Sequence, residues 1–274
     1  MQGEPFRRFP LFQYFQSKKV EKLSDKQRLF LLDELRGAAI ILMVIYHALF
    51  LLADVFHDMA GRTLLLFFSP AQPFIAGLFI LICGICCRLS RSNLKRGLLL
   101  SSVALLLTFS TYALTLFGIN ELITFGILHF LAISILLFVL IEKFLVRLPP
   151  ISQVIIFAAL FVATANPLFG GERGIGLGRL FLPFPQTNLF PLFALGLPSL
   201  SFSSADYFPL IPWVFLFFTG TAIGLYAQKE RFPKFFSKSH VKPLQWVGRY
   251  SLWIYLLHQP LLYLFIQLNG ILAL

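Results

Sequence analysis

The stretch from Leu32 to Phe56, LDELRGAAIILMVIYHALFLLADVF, determines how the rest of the chain is interpreted. From Gly37 onward it is an apolar run of about 20 residues, the length that a helix needs to cross a bilayer. Two ionisable residues interrupt the pattern, Arg36 at one end and His47 in the middle. They are eleven positions apart. At about 100° per residue, their side chains therefore project from the same face of the predicted helix.

This polar face has a structural and a functional interpretation. The structural one is a histidine bonded to a neighbouring helix and an arginine whose long side chain reaches lipid phosphate. The functional one is a slot with a cation at its mouth and a proton acceptor about 16 Å further along the helix. An ionisable group at that depth usually faces a protein interior or a wet cavity. The shared face of Arg36 and His47 favours the functional interpretation.

Composition predicts an all-α polytopic membrane protein. The 274 residues are 58% hydrophobic and only 13% charged, and the mean hydropathy is +0.80. A soluble domain of this size does not need so many apolar residues. The net charge of +11 comes mainly from clusters of lysine and arginine, with 8 in residues 1–36, 4 in 88–97, 2 in 142–149 and 6 in 228–249. These clusters fall on alternate loops, which is the positive-inside pattern. The charge therefore indicates topology and contact with membrane lipids, and it argues against a nucleic-acid partner.

The hydropathy pattern predicts about seven membrane-spanning helices, at residues 37–56, 72–88, 97–117, 121–141, 150–166, 207–227 and 246–268. Their order places the amino terminus on the cytosolic side of the membrane and the carboxy terminus on the outside. Residues 1–31 are predicted to form a basic amphipathic segment on the cytosolic surface, with no removable signal peptide. The single domain is expected over 32–268. Prolines interrupt every apolar run in 167–206, so this segment is predicted to be an outer cap or re-entrant loop.

Three histidines lie within predicted spans, and their expected depths in the membrane nearly coincide: His47, His129 and His258. Near neutral pH an imidazole can accept and return a proton, as deprotonation of a hydroxyl or amine attacking a thioester requires. A three-histidine metal site and a proton or substrate transporter are the competing interpretations. No HxxxH or histidine–carboxylate spacing occurs, so no metal is predicted. On the last span, Ser251 and Tyr255 share a polar face with His258.

Two other polar features have structural interpretations. Asp206 precedes YFPLIPW, a pattern that predicts an N-cap followed by prolines in the first helical turn. The three cysteines in CGICC, residues 83–87, are interpreted as small packing residues.

Four blocks resemble one family in order along the chain. They are LDELRGAAIILMVIYH at 32–47, FGILHFLAIS at 125–134, SADYFPLIPW at 204–213 and GRYSLWIYLLHQPLL at 248–262. Together they resemble the bacterial branch of the heparan-α-glucosaminide N-acetyltransferase catalytic domain family. The fold is also similar to that of the wider transmembrane acyltransferase superfamily, in which an arginine followed by a histidine on the first span marks the catalytic helix.

The resemblance implies an O- or N-acyltransferase that uses acyl-CoA, such as acetyl-CoA, as co-substrate. The acceptor, often a glycan in the family, would approach from the other side of the membrane. By resemblance, Arg36 and Arg249 would hold the donor phosphates and His47 would be the base. The remaining family positions would line the donor site and the transfer chamber (Ser251, Tyr255, His129 and His258) or form the substrate entrance (Asp206 and Asp58).

One departure from the family leaves the base open. In the animal enzymes the position matching His47 is not histidine, and the catalytic histidine lies in the first outer loop, where His57 is the nearest residue here. A different class of function is also open, namely a non-catalytic subunit of a larger membrane complex. Copurification with other subunits would favour that alternative, and a free monomer or homo-oligomer would favour the enzyme.

Overall fold

The structure is a computed structural model that describes residues 29–118, 121–169, 174–176, 180–184, 191–199, 202–228 and 232–272. The helices are α1 Phe30–Phe50, α2 Met59–Phe68, α3 Gln72–Leu89, α4 Asn93–Thr115, α5 Ile127–Leu145, α6 Pro150–Thr164, α7 Leu210–Gln228, α8 Lys242–Arg249 and α9 Ser251–Leu272. Two short antiparallel strands, β1 Gly174–Ile175 and β2 Leu182–Pro183, pair Gly174 with Pro183. Residues 1–28 of the predicted cytosolic segment lie outside the described residues, as do parts of the predicted cap.

Six segments of the described chain are long and apolar enough to span a membrane: Phe30–Asp54, Met59–Leu89, Asn93–Thr115, Ile127–Leu145, Leu210–Gln228 and Ser251–Leu268. They confirm the predicted all-α polytopic membrane fold. The remaining predicted span corresponds to α6, which has 15 residues. At 1.5 Å per residue this helix is about 22 Å long, shorter than a hydrocarbon core of about 30 Å.

The second span is longer than predicted. Helices α2 and α3 are joined by a single 3₁₀ turn at Ser69–Ala71, so the helical segment is continuous from Met59 to Leu89. The prolines in this region lie at the start of the 3₁₀ turn and in the first turn of α3. A missing N–H costs nothing at such positions, so these prolines do not end the helix.

The fourth span begins at Ile127, six residues later than predicted. The preceding backbone is bonded to other segments instead of to itself. The N–H of Ile123 donates to Thr111 Oγ1 at 3.2 Å, and the N–H of Phe125 donates to Ser204 Oγ at 3.3 Å. Because tertiary partners satisfy these donors, the apolar residues before Ile127 do not need a helix.

The last predicted span is divided in two. The short helix α8 ends at Arg249, and α9 begins at Ser251. Gly248 of α8 faces α1 so closely that a Cβ atom there would meet the carbonyl oxygen of Asp33, and one at Gly37 would meet the carbonyl oxygen of Leu244. Helix α8 therefore packs directly on the start of α1.

A second close approach joins α3 to α7. A Cβ at Gly84 would meet the carbonyl oxygen of Phe217, and one at Gly220 would meet the carbonyl oxygen of Leu81. Next to this contact lies the aromatic core, in which Phe130, Phe138 and Phe217 are fully buried. Small residues allow helix backbones to approach in this way, which is how helices associate in membranes. One glycine contact therefore joins α1 to α8, and the other joins α3 to α7.

A buried carboxylate ties the loop before α8 to α1. Glu34 is only 3% exposed, and its Oε1 accepts the backbone N–H groups of His240 at 2.7 Å and Val241 at 3.1 Å. Its Oε2 lies 3.5 Å from His240 Nδ1. This residue therefore satisfies backbone donors that precede the first turn of α8.

Replacing Glu34 with alanine is expected to lower the free energy of unfolding by about 1–3 kcal/mol, because two backbone N–H groups would lose their hydrogen bonds to a charged carboxylate. Glu34→Gln keeps an acceptor oxygen and is expected to cost less. Thermal unfolding in detergent, followed by circular dichroism, measures both variants. Equal midpoints for wild type and Glu34→Ala would contradict this role.

Candidate active site

A cavity of about 390 Å³ runs through the helical bundle. Its walls come from α1, α3, α4, α5 and α9 and from the segments just before α5 and α7. Arg36 and His47 line the cavity from α1, and Asp206 lines it from the segment before α7. The part of the cavity beside Arg36 is called the Arg36 end, and the part beside Asp206 is called the Asp206 end. Volumes of about 300–1,000 Å³ are usual for small-molecule sites. The predicted shared face of Arg36 and His47 is confirmed, since both side chains line this one cavity.

The Arg36 end of the cavity carries two guanidinium groups. Arg36 Nη2 donates to Cys86 Sγ at 2.9 Å, and Nη1 lies 3.4 Å from Asp33 Oδ1. Arg96 enters from α4, and its Nη1 donates to the carbonyl oxygen of Cys86 at 3.5 Å. Cys83 and Cys86 also line this end. The arrangement provides several N–H donors and concentrated positive charge, which suits a phosphate or carboxylate.

His47 lies eleven residues beyond Arg36 on α1, about 16 Å further along the helix axis. Its Nδ1 lies 3.3 Å from the Nε2 of Gln259 on α9. Its ring centroid is 5.0 Å from that of His258, the residue before Gln259. The first and last helices of the described chain therefore meet at the imidazole in the middle of the cavity.

The Asp206 end is built by a carboxylate that joins three segments. Asp206 is 8% exposed, and its Oδ2 accepts the hydroxyl of Tyr255 at 2.5 Å and the N–H of Ile127 at 3.2 Å. Burial raises the pKa of Asp206, although the Tyr255 hydroxyl, the Ile127 N–H and the neighbouring rings of His258 and His129 act in the opposite direction. The predicted N-cap role of Asp206 is wrong, because α7 begins only at Leu210 and the carboxylate serves the start of α5 instead.

A second carboxyl group, Glu121, also lines the cavity. Burial raises its pKa, and the charge of Asp54 adds to that shift. Both carboxyl groups offer oxygens that accept hydrogen bonds from a polar ligand. The Asp206 end therefore contrasts with the cationic Arg36 end.

Comparison with known families identifies the chain. The family described as heparan-alpha-glucosaminide N-acetyltransferase, catalytic, matches residues 28–260, which is most of the sequence. The chain belongs to this family. Membership indicates a membrane acetyltransferase, in agreement with the helical architecture. No curated protein and no solved structure gives a significant match to the chain.

In this member of the heparan-α-glucosaminide N-acetyltransferase family, five of the residues predicted for the site line the cavity: Arg36, His47, Asp206, Ser251 and Tyr255. His258 does not line it but touches the ring of His47. The structure thus brings these six predicted residues together around one space. Their chemical roles stay predictions.

The other four predicted residues lie away from the cavity lining. His129 contacts Thr108 Oγ1 through Nε2 at 3.1 Å, and its Nδ1 accepts the N–H of Gly126 at 3.2 Å. His57 is exposed in the turn after α1, with a φ of 54°, and the next residue, Asp58, caps α2 by accepting the N–H of Gly61. Arg249 is exposed at the end of α8.

Five residues of the lining that carry a charged, amide or hydroxyl group are not singled out as site residues by sequence: Tyr46, Gln72, Arg96, Glu121 and Gln259. Arg96 belongs to a basic cluster that the charge pattern explains by topology alone. Gln259 directly follows His258 in the last block of the family resemblance, which is the signal that would have found it. Within the described ranges, no three His, Cys, Asp or Glu side chains are grouped to hold a metal ion.

Proposed function

We propose that the protein transfers an acetyl or related acyl group from cytosolic acyl-CoA to a hydroxyl or amine of an acceptor, such as a glycan, at the opposite side of the bacterial inner membrane. The observation that carries this proposal is the single cavity that joins two guanidinium groups to the imidazole of His47 and continues to Asp206. Membership of the acetyltransferase family supports the type of reaction.

The donor phosphates bind at the Arg36 end. A guanidinium group has five N–H donors in a planar fork that matches phosphate oxygens. Arg36 directs one nitrogen at Cys86 and another towards Asp33, and Arg96 adds a second guanidinium group nearby. Both arginines therefore have donors left for an anion entering from that side. Arg249 of the predicted donor site lies outside the lining, so Arg96 replaces it in this proposal.

The acyl arm of the donor extends from the guanidinium groups towards His47. The wall between them is largely apolar and includes Ile40, Met43 and Leu131. Such a surface suits the thin pantetheine chain, which has few charged groups to satisfy. The thioester carbonyl then lies beside the imidazole, where a general base is needed.

The acceptor approaches from the Asp206 end. His47 takes a proton from its hydroxyl or amine, whose lone pair forms a bond to the thioester carbonyl carbon. The carbon–sulfur bond breaks, and the CoA thiolate leaves with that proton. Glu121 and Asp206 present carboxyl groups that can bond a polar acceptor such as a sugar. Direct transfer gives ternary-complex kinetics, whereas an acyl-histidine intermediate gives ping-pong kinetics.

The proposed orientation of the protein in the membrane is based on the distribution of positive charge along the sequence. Lysine and arginine concentrate in the sequence that leads into and opens α1, with 8 in residues 1–36, and in the sequence that leads into α9, with 6 in 228–249. The positive-inside rule places these segments in the cytosol, where acyl-CoA is made. Sealed vesicles of each orientation test this, because acyl-CoA does not cross the bilayer and only the cytosolic face should accept it.

Replacing Arg36 with glutamine is expected to raise the KM for acetyl-CoA by about 10- to 100-fold, since a hydrogen bond to a charged group contributes about 1.5–3 kcal/mol. Arg96→Gln should act in the same direction. The measurement is release of free CoA thiol by the purified protein in proteoliposomes, with a panel of candidate acceptors.

Two controls make this test specific. Arg91→Gln removes an exposed cation from the neighbouring loop and should leave the KM unchanged. An acetyl thioester of N-acetylcysteamine has no phosphates, so wild type and Arg36→Gln should use it equally well. An unchanged KM for acetyl-CoA in both arginine variants would refute phosphate binding at this end. Solute flux without acyl-CoA would instead indicate a transporter.

A further inference from the structure

The hydrogen bonds of His258 determine where its proton lies. Its Nδ1 is 2.7 Å from the backbone carbonyl oxygen of Tyr255. A carbonyl oxygen can only accept, so Nδ1 carries the hydrogen. In the neutral ring Nε2 then holds a lone pair. That nitrogen is buried without a hydrogen-bond partner in the part of the chain that the structure describes, on a residue that is only 6% exposed.

The proton of neutral His47 lies on Nε2, whereas that of His258 lies on Nδ1. The Nε2 of Gln259 is 3.3 Å from His47 Nδ1, and an amide nitrogen can only donate. Nδ1 of His47 therefore accepts, and the proton of the neutral ring is on Nε2. One ring of the pair thus carries an Nε2–H donor, and the other carries an unpartnered Nε2 acceptor. Their centroids are 5.0 Å apart.

We infer that His258 and Gln259 are positioning residues that select the tautomer of His47 and make Nδ1 its basic nitrogen. His258 Nε2 accepts the Nε2–H of His47 when the rings close during the reaction. The amide of Gln259 bonds Nδ1 of His47 at the position that the acceptor's O–H or N–H takes when it binds. This inference rests on the proposed acyl transfer, and it goes beyond it by assigning the reacting atom.

Every proton that moves in the proposed reaction is accounted for. The acceptor gives its proton to His47 Nδ1 as its lone pair bonds to the thioester carbon, so His47 briefly holds protons on both nitrogens. The lone pair of His258 Nε2 stabilises this cation through the shared Nε2–H. The departing CoA thiolate then removes the proton from Nδ1. His47 returns to its starting tautomer, and His258 keeps its proton on Nδ1 throughout.

Spectroscopy tests the tautomers without any activity. The chain has 5 histidines, so selective ¹⁵N-histidine labelling gives a spectrum that single substitutions can assign. The expected result is a protonated Nε2 for His47 and a protonated Nδ1 for His258 in the ligand-free protein. A protonated Nδ1 on neutral His47 would overturn the inference. This result stands even if no acyl transfer is found, so failure here is distinct from failure of the proposed function.

Kinetics test the consequence. His258→Phe is expected to lower kcat by about 100-fold, within the range of general acid–base effects, with the KM for acetyl-CoA unchanged. His258→Gln keeps an acceptor near the same place and should recover part of that loss. His240→Gln, which alters a histidine outside the lining, is the matched control. Wild-type kcat in His258→Phe would overturn the role of His258.

Gln259 provides a discriminating pair of variants. A carboxylate at this position accepts a hydrogen and would move the proton of His47 to Nδ1, whereas leucine imposes no tautomer. Gln259→Glu is therefore expected to lose at least 10-fold more kcat than Gln259→Leu, with the ¹⁵N spectrum showing the changed tautomer. Equal losses, or a greater loss in the leucine variant, would show that Gln259 only fills space.

Discussion

The His47→Ala protein is expected to fold and to bind acyl-CoA but to transfer the acyl group about 10²- to 10⁴-fold more slowly than wild type, which is the usual contribution of a general base. His47 lines the same cavity as Arg36 and Asp206. Removing its imidazole leaves the guanidinium groups in place, so the effect should fall on kcat and not on the KM for the donor. Single-turnover assays with radiolabelled acetyl-CoA measure it.

His57 provides the matched control for this prediction. It is exposed in the turn after α1 and outside the cavity lining. Its φ of 54° is tolerated by asparagine, so His57→Asn changes the side chain without straining the backbone. That variant is expected to keep near wild-type kcat. Loss of transfer in His57→Asn together with full activity in His47→Ala would place the base in the loop, as the family resemblance suggests for the animal enzymes.

A second large effect is expected from Gly84→Leu at the crossing of α3 and α7. Any side chain there meets the carbonyl oxygen of Phe217 and lies 3.1 Å from the Cα of Gly220. These are backbone atoms, which cannot turn aside, so the helices must separate along the wall of the aromatic core. Overpacking of this kind costs about 3 kcal/mol or more. We expect a protein that is degraded in cells or that aggregates on extraction.

Gly118 is the appropriate comparison for that variant. It lies after α4 with a φ of +82°, and a Cβ there would meet no atom within 4 Å. Gly118→Asn suits this conformation, so it should be extracted and unfold like wild type. Expression yield and size-exclusion profiles in the same detergent compare the two. A monodisperse Gly84→Leu protein with wild-type thermal stability would show that α3 and α7 do not need this contact.

The sequence predicts the polytopic helical class and the approximate positions of six spans, because apolar length is a local property. It also predicts that Arg36 and His47 share a cavity, since helical spacing on one element fixes their common direction. Depth alone is less informative. It places His129 level with the other two histidines, yet this ring turns to Thr108 and the start of its own helix, because depth does not determine the direction in which a side chain points.

The features that sequence misses depend on contacts between distant segments. Asp206 resembles a local cap, but its carboxylate joins Tyr255 and Ile127, which are 49 and 79 residues away. The positive-inside pattern already explains why Arg96 is basic, so the sequence gives no reason to place it in the cavity. Only the packing of α4 brings Arg96 into the lining. The helix break at Tyr250 lies two residues after Gly248, which packs against α1. No local pattern contains these partners.

The meeting of α1 and α9 has a consequence for biosynthesis. Gln259 and His47 are 212 residues apart in the chain, and at about 5–20 residues per second a ribosome needs roughly 10–40 s to synthesise that interval. During translation His47 enters the bilayer long before the helix that holds its partner. A nascent chain released before α9 would therefore lack one wall of the chamber and the amide that pairs with the imidazole. The cavity is completed only when α9, the ninth of the described helices, is inserted.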